Sequence, residues 1–424
     1  MDARTLSKRL KPSKRLKVTN ILKDYRAAAG LNDPLFSSRS LVPDVAAVPL
    51  PSEEPSEELT RVLNLLTACR SGKLGSHVFD CAGCQRTLVG LNRCTNRHCP
   101  ACSHARREAW QTSVSRWAPR CSYWHIVFTL PHDFNPLLKA NEAVLFRLFG
   151  TCCSQVLLRI ATRELHFQPG LISALHTWGQ RMNYHVHQHI ILTAGGLSLD
   201  GERWMQLMHD HPALQAQALA DQLRTTFVRR LRSRLKQGKL VWPEDELGMS
   251  QEAFFEGLSG KPWMASSQPP SLETDQASNR VEGIVHYLAA YVSGTAIGNG
   301  RIIEDDGQFV RFEFKDYRTG KLAVEKLTGV EFTRRFCQHV WPKSIRKVRY
   351  GGLFAARGRI GRMERCNQLI SQVELASAEH LQTGKAPATS EFEGDTDTSD
   401  EIEAAPTMTG ACCRYGTVHQ SHWA

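Results

Sequence analysis

The sequence predicts an α+β protein in which a small metal-stapled module precedes a domain of strands and amphipathic helices. Three observations carry this. Residues 183–196 read "NYHVHQHIILTAGG", with His185, His187 and His189 at every second position before a β-branched run. Side chains alternate across a strand, so these histidines share one face, and the Gly-Gly pair is expected to stop the strand. Residues 136–165 and 218–240 instead place Leu, Val and Ala at three-to-four spacing, the helical period. Upstream, "HVFDCAGCQRTLVGLNRCTNRHCPAC" holds two C-x2-C doublets.

Taken along the chain, residues 1–20 are a basic arm, and the Pro-rich acidic stretch 41–58 reads as a linker. "LTRVLNLLTACRSG" has helical spacing and leads into the cysteines. "CSYWHIVFTL" reads as a strand closed by Pro131, and "LISALHTWG" and "YHVHQHIILT" as two strands close in sequence. "NRVEGIVHYLAAYVSGTA" (279–296) reads as a helix, "QFVRFEFKDYRTGKLAVEKLT" as a hairpin around "RTG", and "GVEFTRRFCQHVWP" as a helix stopped by Pro342. Past Leu375 the chain turns acidic and rich in Thr and Ser, which predicts disorder. The expected division is 1–60 basic arm and linker, 61–118 the cysteine-rich module, 119–350 the domain of strands and helices that holds the histidines, and 351–424 a basic segment followed by the acidic tail.

The 424 residues carry a formal charge of +11. Residues 391–403 hold seven acids and no Lys or Arg, so the remainder is more basic still. Such a body points to a polyanionic partner, most simply nucleic acid. No run of about 18 consecutive apolar residues occurs, so no membrane partner is expected. The first residues lack the apolar core of a secretory signal, and a cytoplasmic, nucleoid-associated location is expected. There the 13 cysteines should be reduced, and their clustering suggests metal.

Cys81-x2-Cys84 and Cys99-x2-Cys102 are separated by 14 residues. Two such knuckles can close a tetrahedral sulfur site of the kind structural Zn²⁺ prefers. Cys69, Cys94, His77 and His98 are surplus candidates, so a different four or a second ion stays open. Arg93, Arg97, Arg106 and Arg107 surround the knuckles and could touch phosphate. Adjacent Cys412 and Cys413, with His419 and His422, give a weaker metal pattern.

On a strand, i and i+2 side chains sit about 7 Å apart and can share an ion, whereas i and i+4, about 13 Å apart, cannot. Either His185/His187 or His187/His189 could therefore hold a divalent ion such as Mg²⁺ or Mn²⁺ with room for substrate oxygens. Tyr287 and Tyr291 are four apart, hence on one helical face, and become candidate nucleophiles only beside such an ion. For binding, Arg229, Arg230, Arg232 and Arg234 on a basic helix, and Arg346, Lys347 and Arg349 in "KSIRKVRYGG", could track a DNA backbone.

Together, "LHTWGQ", "YHVHQHIILTAGGLSLDG", "YLAAYVSGTAIGNGRI", "VRFEFKDY" and "EFTRRFCQHVWPKSIRKVRYGGLF" resemble the two-tyrosine HUH transposases of rolling-circle insertion sequences (the IS-ninety-one type), in that family's order over about residues 60–360. The "NRCTNRHCPAC" segment resembles their zinc-binding module. The resemblance implies a ferredoxin-like HUH nuclease domain, an antiparallel sheet with flanking helices. It implies cleavage of single-stranded DNA at the ends of the element through a 5′-phosphotyrosine, with transfer to target DNA. Tyr287 and Tyr291 match the nucleophiles, and His187 and His189 the metal motif when register is set from the glycine pair. The motif wants an apolar residue between its histidines; Gln188 departs from this, and Val186 would satisfy it for His185/His187. The third ligand is not legible, although Asn299 and His286 lie near the tyrosines. No G-x4-G-K-[ST] loop is present, so no nucleotide cofactor is expected and any helicase would come from the host. Two rival readings are a non-catalytic zinc-dependent DNA-binding regulator and a hydrolase that uses water; the latter would want aspartates, and none lies between His166 and Leu199.

Overall fold

The computed structural model describes residues 17–26, 28, 56–81, 84–207, 211–270, 289–383 and 418–423. The helices that frame the sites are α1 (Lys17–Tyr25), α2 (Glu57–Ala68), α3 (Pro100–Ser115), α4 (Glu142–Arg163), α5 (Ala216–Lys236), α6 (Gly329–Cys337) and α7 (Arg359–Thr383), and further helices span Asn135–Ala140, Glu244–Leu247 and Gln251–Ser259. Its strands are β1 (Ser76–Cys81), β2 (Thr87–Leu91), β3 (Tyr123–Thr129), β4 (Phe167–Trp178), β5 (Tyr184–Ser198), β6 (Trp204–Gln206), β7 (Met264–Gln268), β8 (Ile302–Asp305), β9 (Phe309–Lys315), β10 (Leu322–Thr328), β11 (Val348–Gly352) and β12 (Val418–Trp423).

The main sheet runs β11-β4-β5-β3-β7, with β6 paired to the far end of β5 and every pairing antiparallel. In chain order its centre is β3-α4-β4-β5-α5-β7. Alternation sorts the two faces. Val186, Ile190 and Leu192 of β5 and Ile126 and Phe128 of β3 point into a core with the apolar sides of α4 and α5. The opposite face carries the histidines, and toward one end packs Ile172 and Ile191 on Met363, Cys366 and Leu369 of α7. Helix α4 is long and apolar enough to cross a membrane by length and composition, but its apolar side chains, such as Leu145, Phe149, Val156 and Ile160, lie in this core.

The glycine pair behaves differently from expectation. β5 continues through Gly195 and Gly196, which pair with Gln206 and Met205 of β6. A Cβ on Gly196 would lie 2.1 Å from the Gln168 carbonyl oxygen, and one on Gly195, at φ +147°, 2.4 Å from that of Met205. The pair therefore lets three strands approach closely and does not end one.

A second core joins parts distant in sequence. Val18, Ile21 and Leu22 of α1 and Val62, Leu63 and Leu66 of α2 pack with Phe312, Phe332 and Phe336 around the hairpin β9–β10. Residues 17–25 form a buried amphipathic helix that begins in the basic arm and runs into "VTNILKDYRAAAGL", which reads as a short helix in the sequence, and α7 extends to Thr383, beyond the expected start of the acidic tail. The remainder of the arm, most of the linker, the acidic stretch 391–403, and Cys412 and Cys413 lie outside the described residues. β12 pairs with β1, which places His419 opposite Asp80 and His422 opposite Val78 along the backbone.

Candidate active site

Two clusters of metal-ligating side chains form among the described residues. The first gathers Cys69, Cys94, Cys99 and Cys102. Their sulfurs lie 3.6 Å (Cys69–Cys102), 3.7 Å (Cys69–Cys99) and 3.8 Å (Cys94–Cys102) apart. A tetrahedral ion with Zn–S bonds of about 2.3 Å requires edges of about 3.8 Å, so this donor set fits structural zinc.

The four brought together differ from the two doublets expected from spacing and draw on the surplus candidates Cys69 and Cys94. Cys99 and Cys102 take part, whereas Cys81 and Cys84 do not belong to the four. Hairpin geometry is the reason. β1 and β2 pair from Ser76 opposite Leu91, and Cys81 and Cys84 stand at the hairpin tip, roughly 17 Å along the strand from its base. At that base Arg70 N–H donates to the Asn92 carbonyl at 3.0 Å, which brings Cys69 beside Cys94. The other candidates also stay out: His77 stacks edge-on with Phe79, and buried His98 packs edge-on against Trp341.

The module's arginines are structural where a contact is visible. The Arg97 guanidinium donates to the carbonyls of Trp341 (3.2 Å), Pro342 (2.9 Å) and Ile345 and sits over the Trp341 ring. Arg106 donates to the Asn96 and Arg97 carbonyls. Arg97 thus ties the cysteine loop to the chain entering β11, and Arg106 holds the backbone of that loop in place.

The second cluster is His176, His187 and His189, whose ligand atoms lie within 4.8 Å of one another. His187 and His189 are the pair favoured by register, and His185 stands outside the three, stacked on His132. His176 was missed. It lies on β4 directly opposite His187, so counting back from the β4–β5 turn would have found it, had the register shift between His176 and Trp178 been known. Asn299, the described residue of the two offered for this role, accepts instead from the Val18 N–H. His286 lies outside the described residues.

Each imidazole has one nitrogen engaged away from the cluster. His187 Nδ1 contacts its neighbour's carbonyl at His185 (2.9 Å), His176 Nε2 the Tyr291 carbonyl (2.6 Å), and His189 Nδ1 the His125 Nε2 (3.0 Å). His125 is held in turn by Gln268 at 3.2 Å. Such partners fix ring orientation and leave the other nitrogen for metal. Burial pushes His187 down to about 4 and His176 and His189 well below the usual imidazole range, so all three are neutral, as ligands must be. The donor set therefore fits a divalent ion with further positions open.

Tyr291 lies beside this cluster, its ring centroid 4.2 Å from that of His189 and 5.1 Å from that of His125. It sits in the helical segment 289–293; Tyr287 lies outside the described residues. Among the cations expected to grip DNA, Lys347 donates to the Gly294 carbonyl and stands over Trp178, whose ring stacks on His176. Lys347 thus walls the site, and burial holds its amine well below the usual range. Arg349 is tied to α4 through the Arg147 carbonyl and Thr151, while Arg229, Arg232, Arg234 and Arg346 remain exposed.

With this geometry in view, the comparisons are specific. A family described as "Putative transposase" matches residues 170–360, and one described as "Transposase zinc-binding domain" matches residues 44–130. A "Putative transposase y4qJ" of Sinorhizobium fredii is 30% identical over 326 residues, 75% of this chain and 80% of the relative. The chain belongs to the IS91-type transposases. A second relative, the "Transposase for insertion sequence element IS801" of Pseudomonas savastanoi pv. phaseolicola, is 28% identical over 317 residues, 71% of this chain and 70% of its own. No solved structure matches. The matched regions of this chain hold both clusters: the four cysteines lie within 44–130 and the three histidines and Tyr291 within 170–360.

Proposed function

We propose that this transposase cleaves single-stranded DNA at the ends of its element by tyrosine attack and rejoins the strands by a rolling-circle route. The single observation that carries the reading is Tyr291, its ring packed on His189 of a neutral three-histidine cluster. The order β3-α4-β4-β5-α5-β7, with strands arranged β4-β5-β3-β7 and both helices on one face, supports a ferredoxin-like HUH nuclease domain. On this reading residues 61–118 form the zinc-binding domain and 119–350 the nuclease.

His176, His187 and His189 would hold Mg²⁺ or Mn²⁺, which supplies positive charge against the scissile phosphate and the departing oxygen. Tyr291 Oη attacks phosphorus; the P–O3′ bond breaks, the phenol proton is lost and the 3′-oxygen leaves as a hydroxyl. The product is a 5′-phosphotyrosine, which keeps the phosphodiester bond energy, so rejoining needs no nucleotide cofactor. Tyr287 serves a second cleavage while the first end is held. Trp178 and the stem of Lys347 close one side of the histidines against solvent.

The test is a covalent-adduct assay with labelled single-stranded DNA from the element ends, Mg²⁺ or Mn²⁺, and a denaturing gel. Label retained on protein in the wild type, reduced in Tyr291→Phe and absent from Tyr287→Phe/Tyr291→Phe is the expected result. DNA bound in a native gel without adduct under any condition would instead favour the non-catalytic regulator.

A further inference from the structure

The sheet face opposite the histidines carries a feature that cleavage chemistry does not use. An open cleft of about 500 Å³ lies between α4 and α5 where β4 begins, and its lining includes Arg159 and Arg163 of α4, Arg229 and Arg230 of α5, Gln168 and Gly352. Among the described residues none of the four arginines has a carboxylate partner. Arg159 is oriented by Gln222 at 3.0 Å and Thr226 at 3.5 Å, both on α5. Arg163 and Arg229 are exposed, and Arg159 and Arg230 half-buried.

Guanidinium groups stay charged at any physiological pH, so four around one cleft repel each other unless an anion lies between them. Their planar forks match phosphate oxygens in pairs. An apolar or cationic ligand is excluded by the same charges. The position narrows the choice further. Gln168 is eight residues before His176 on one strand, roughly 26 Å along it, and α4 and α5 pack on the face away from the histidines. A straight path of that length equals about eight base steps at the 3.4 Å spacing of a stacked strand, and DNA that rounds the sheet to its reverse face follows a longer path.

We propose that this arginine cleft grips the phosphate backbone of DNA flanking the cleavage point, on the reverse side of the sheet. The cleft is then an anchor that fixes the path of the DNA after it leaves the histidine face, separate from the scissile phosphate. The proposal rests on the reading that the chain works on DNA but not on its chemistry, since binding is measured without added Mg²⁺ or Mn²⁺.

The experiment measures affinity for a length series of single-stranded DNA containing the cleavage point, from about five to about 20 nucleotides, long enough at the upper end to pass eight steps. Full-length wild type, Arg229→Gln/Arg230→Gln and, independently, Arg163→Gln are compared, each with its thermal midpoint checked. Wild type should gain at least about tenfold in affinity once the DNA reaches the cleft. The double variant should lose most of that gain, and its salt slope on the longest DNA should fall by about 1.4, at roughly 0.7 for each of two single-strand phosphate contacts. A variant with native thermal midpoint that keeps the full gain overturns the proposal. So does inorganic phosphate that raises the wild-type but not the variant midpoint while the length gain is unchanged, which would make the cleft a small-anion site. Absence of a covalent adduct in the separate assay with Mg²⁺ or Mn²⁺, alongside the predicted loss of length gain, would sink the cleavage mechanism and leave the anchor standing.

Discussion

At the scale of residues, the histidine cluster works through committed nitrogens. Because His176 Nε2 contacts the Tyr291 carbonyl, the same side chain belongs to the histidine cluster and holds the backbone of Tyr291, the nucleophile proposed above. His176→Ala should therefore weaken Mn²⁺ binding by at least about 100-fold, and His125→Ala, which releases the Nδ1 of His189, by about 10-fold; titration calorimetry reads both. Glu142 makes a different prediction. Burial pushes its carboxyl up to about 7, opposed by the Tyr184 hydroxyl and Lys139. The folded state therefore binds this proton more tightly than the unfolded chain. Stability from this residue is full below the unfolded value near 4.5 and is lost as pH rises through 7. Glu142→Gln, which resembles the protonated form, should match wild type near pH 5 and melt higher than wild type near pH 8.

At the scale of elements, the close approach of β4, β5 and β6 depends on two missing side chains. Gly196→Ala places a methyl within 2.1 Å of the Gln168 oxygen and 2.5 Å of the Phe167 ring. Strand separation of this kind should cost about 1–3 kcal/mol in urea unfolding. The β1–β2 hairpin gives the complementary test. Cys69→Ser or Cys94→Ser should release the ion held by the four clustered sulfurs, while Cys81→Ser should retain it, as read by zinc content after purification. The reverse pattern would restore the two-knuckle site expected from spacing.

Over the whole molecule, the cysteine module and the histidine-bearing sheet domain are one packed body rather than beads on a linker. Cys69, Cys99 and Cys102 share a core with Met182, Ile302, Phe312, Phe332 and Phe336. Arg97 joins the same zinc loop to Trp341, Pro342 and Ile345, a few residues ahead of Lys347 and β11. Trp341 in turn packs on Trp178 beside His176. Removing zinc should then disturb the histidine site as well as the module. A strong chelator should shift tryptophan emission and lower the melting temperature of the full chain in a single transition. Arg97→Ala should reproduce part of that shift with zinc still bound. Two separate transitions, with the later one unchanged by chelation, would argue against this coupling.

The sequence by itself determined what depends on local pattern. The alternation of His185, His187 and His189 is a strand property, the spacing of 218–240 a helix property, and both are written in consecutive residues. "RTG" placed the β9–β10 turn for the same reason, since few residues tolerate it. Cysteine count and clustering were enough to announce a metal module. Only the tertiary structure decided which cysteines meet, because hairpin register brings Cys69 to Cys94 and carries Cys81 to the tip. Only it supplied His176, whose position opposite His187 depends on a register shift no composition reveals. Lys347 and Arg349 read as a DNA-gripping track, yet packing turns one toward the site and the other onto α4. Charge in a sequence states how many cations exist; the direction each faces is settled by what packs around it.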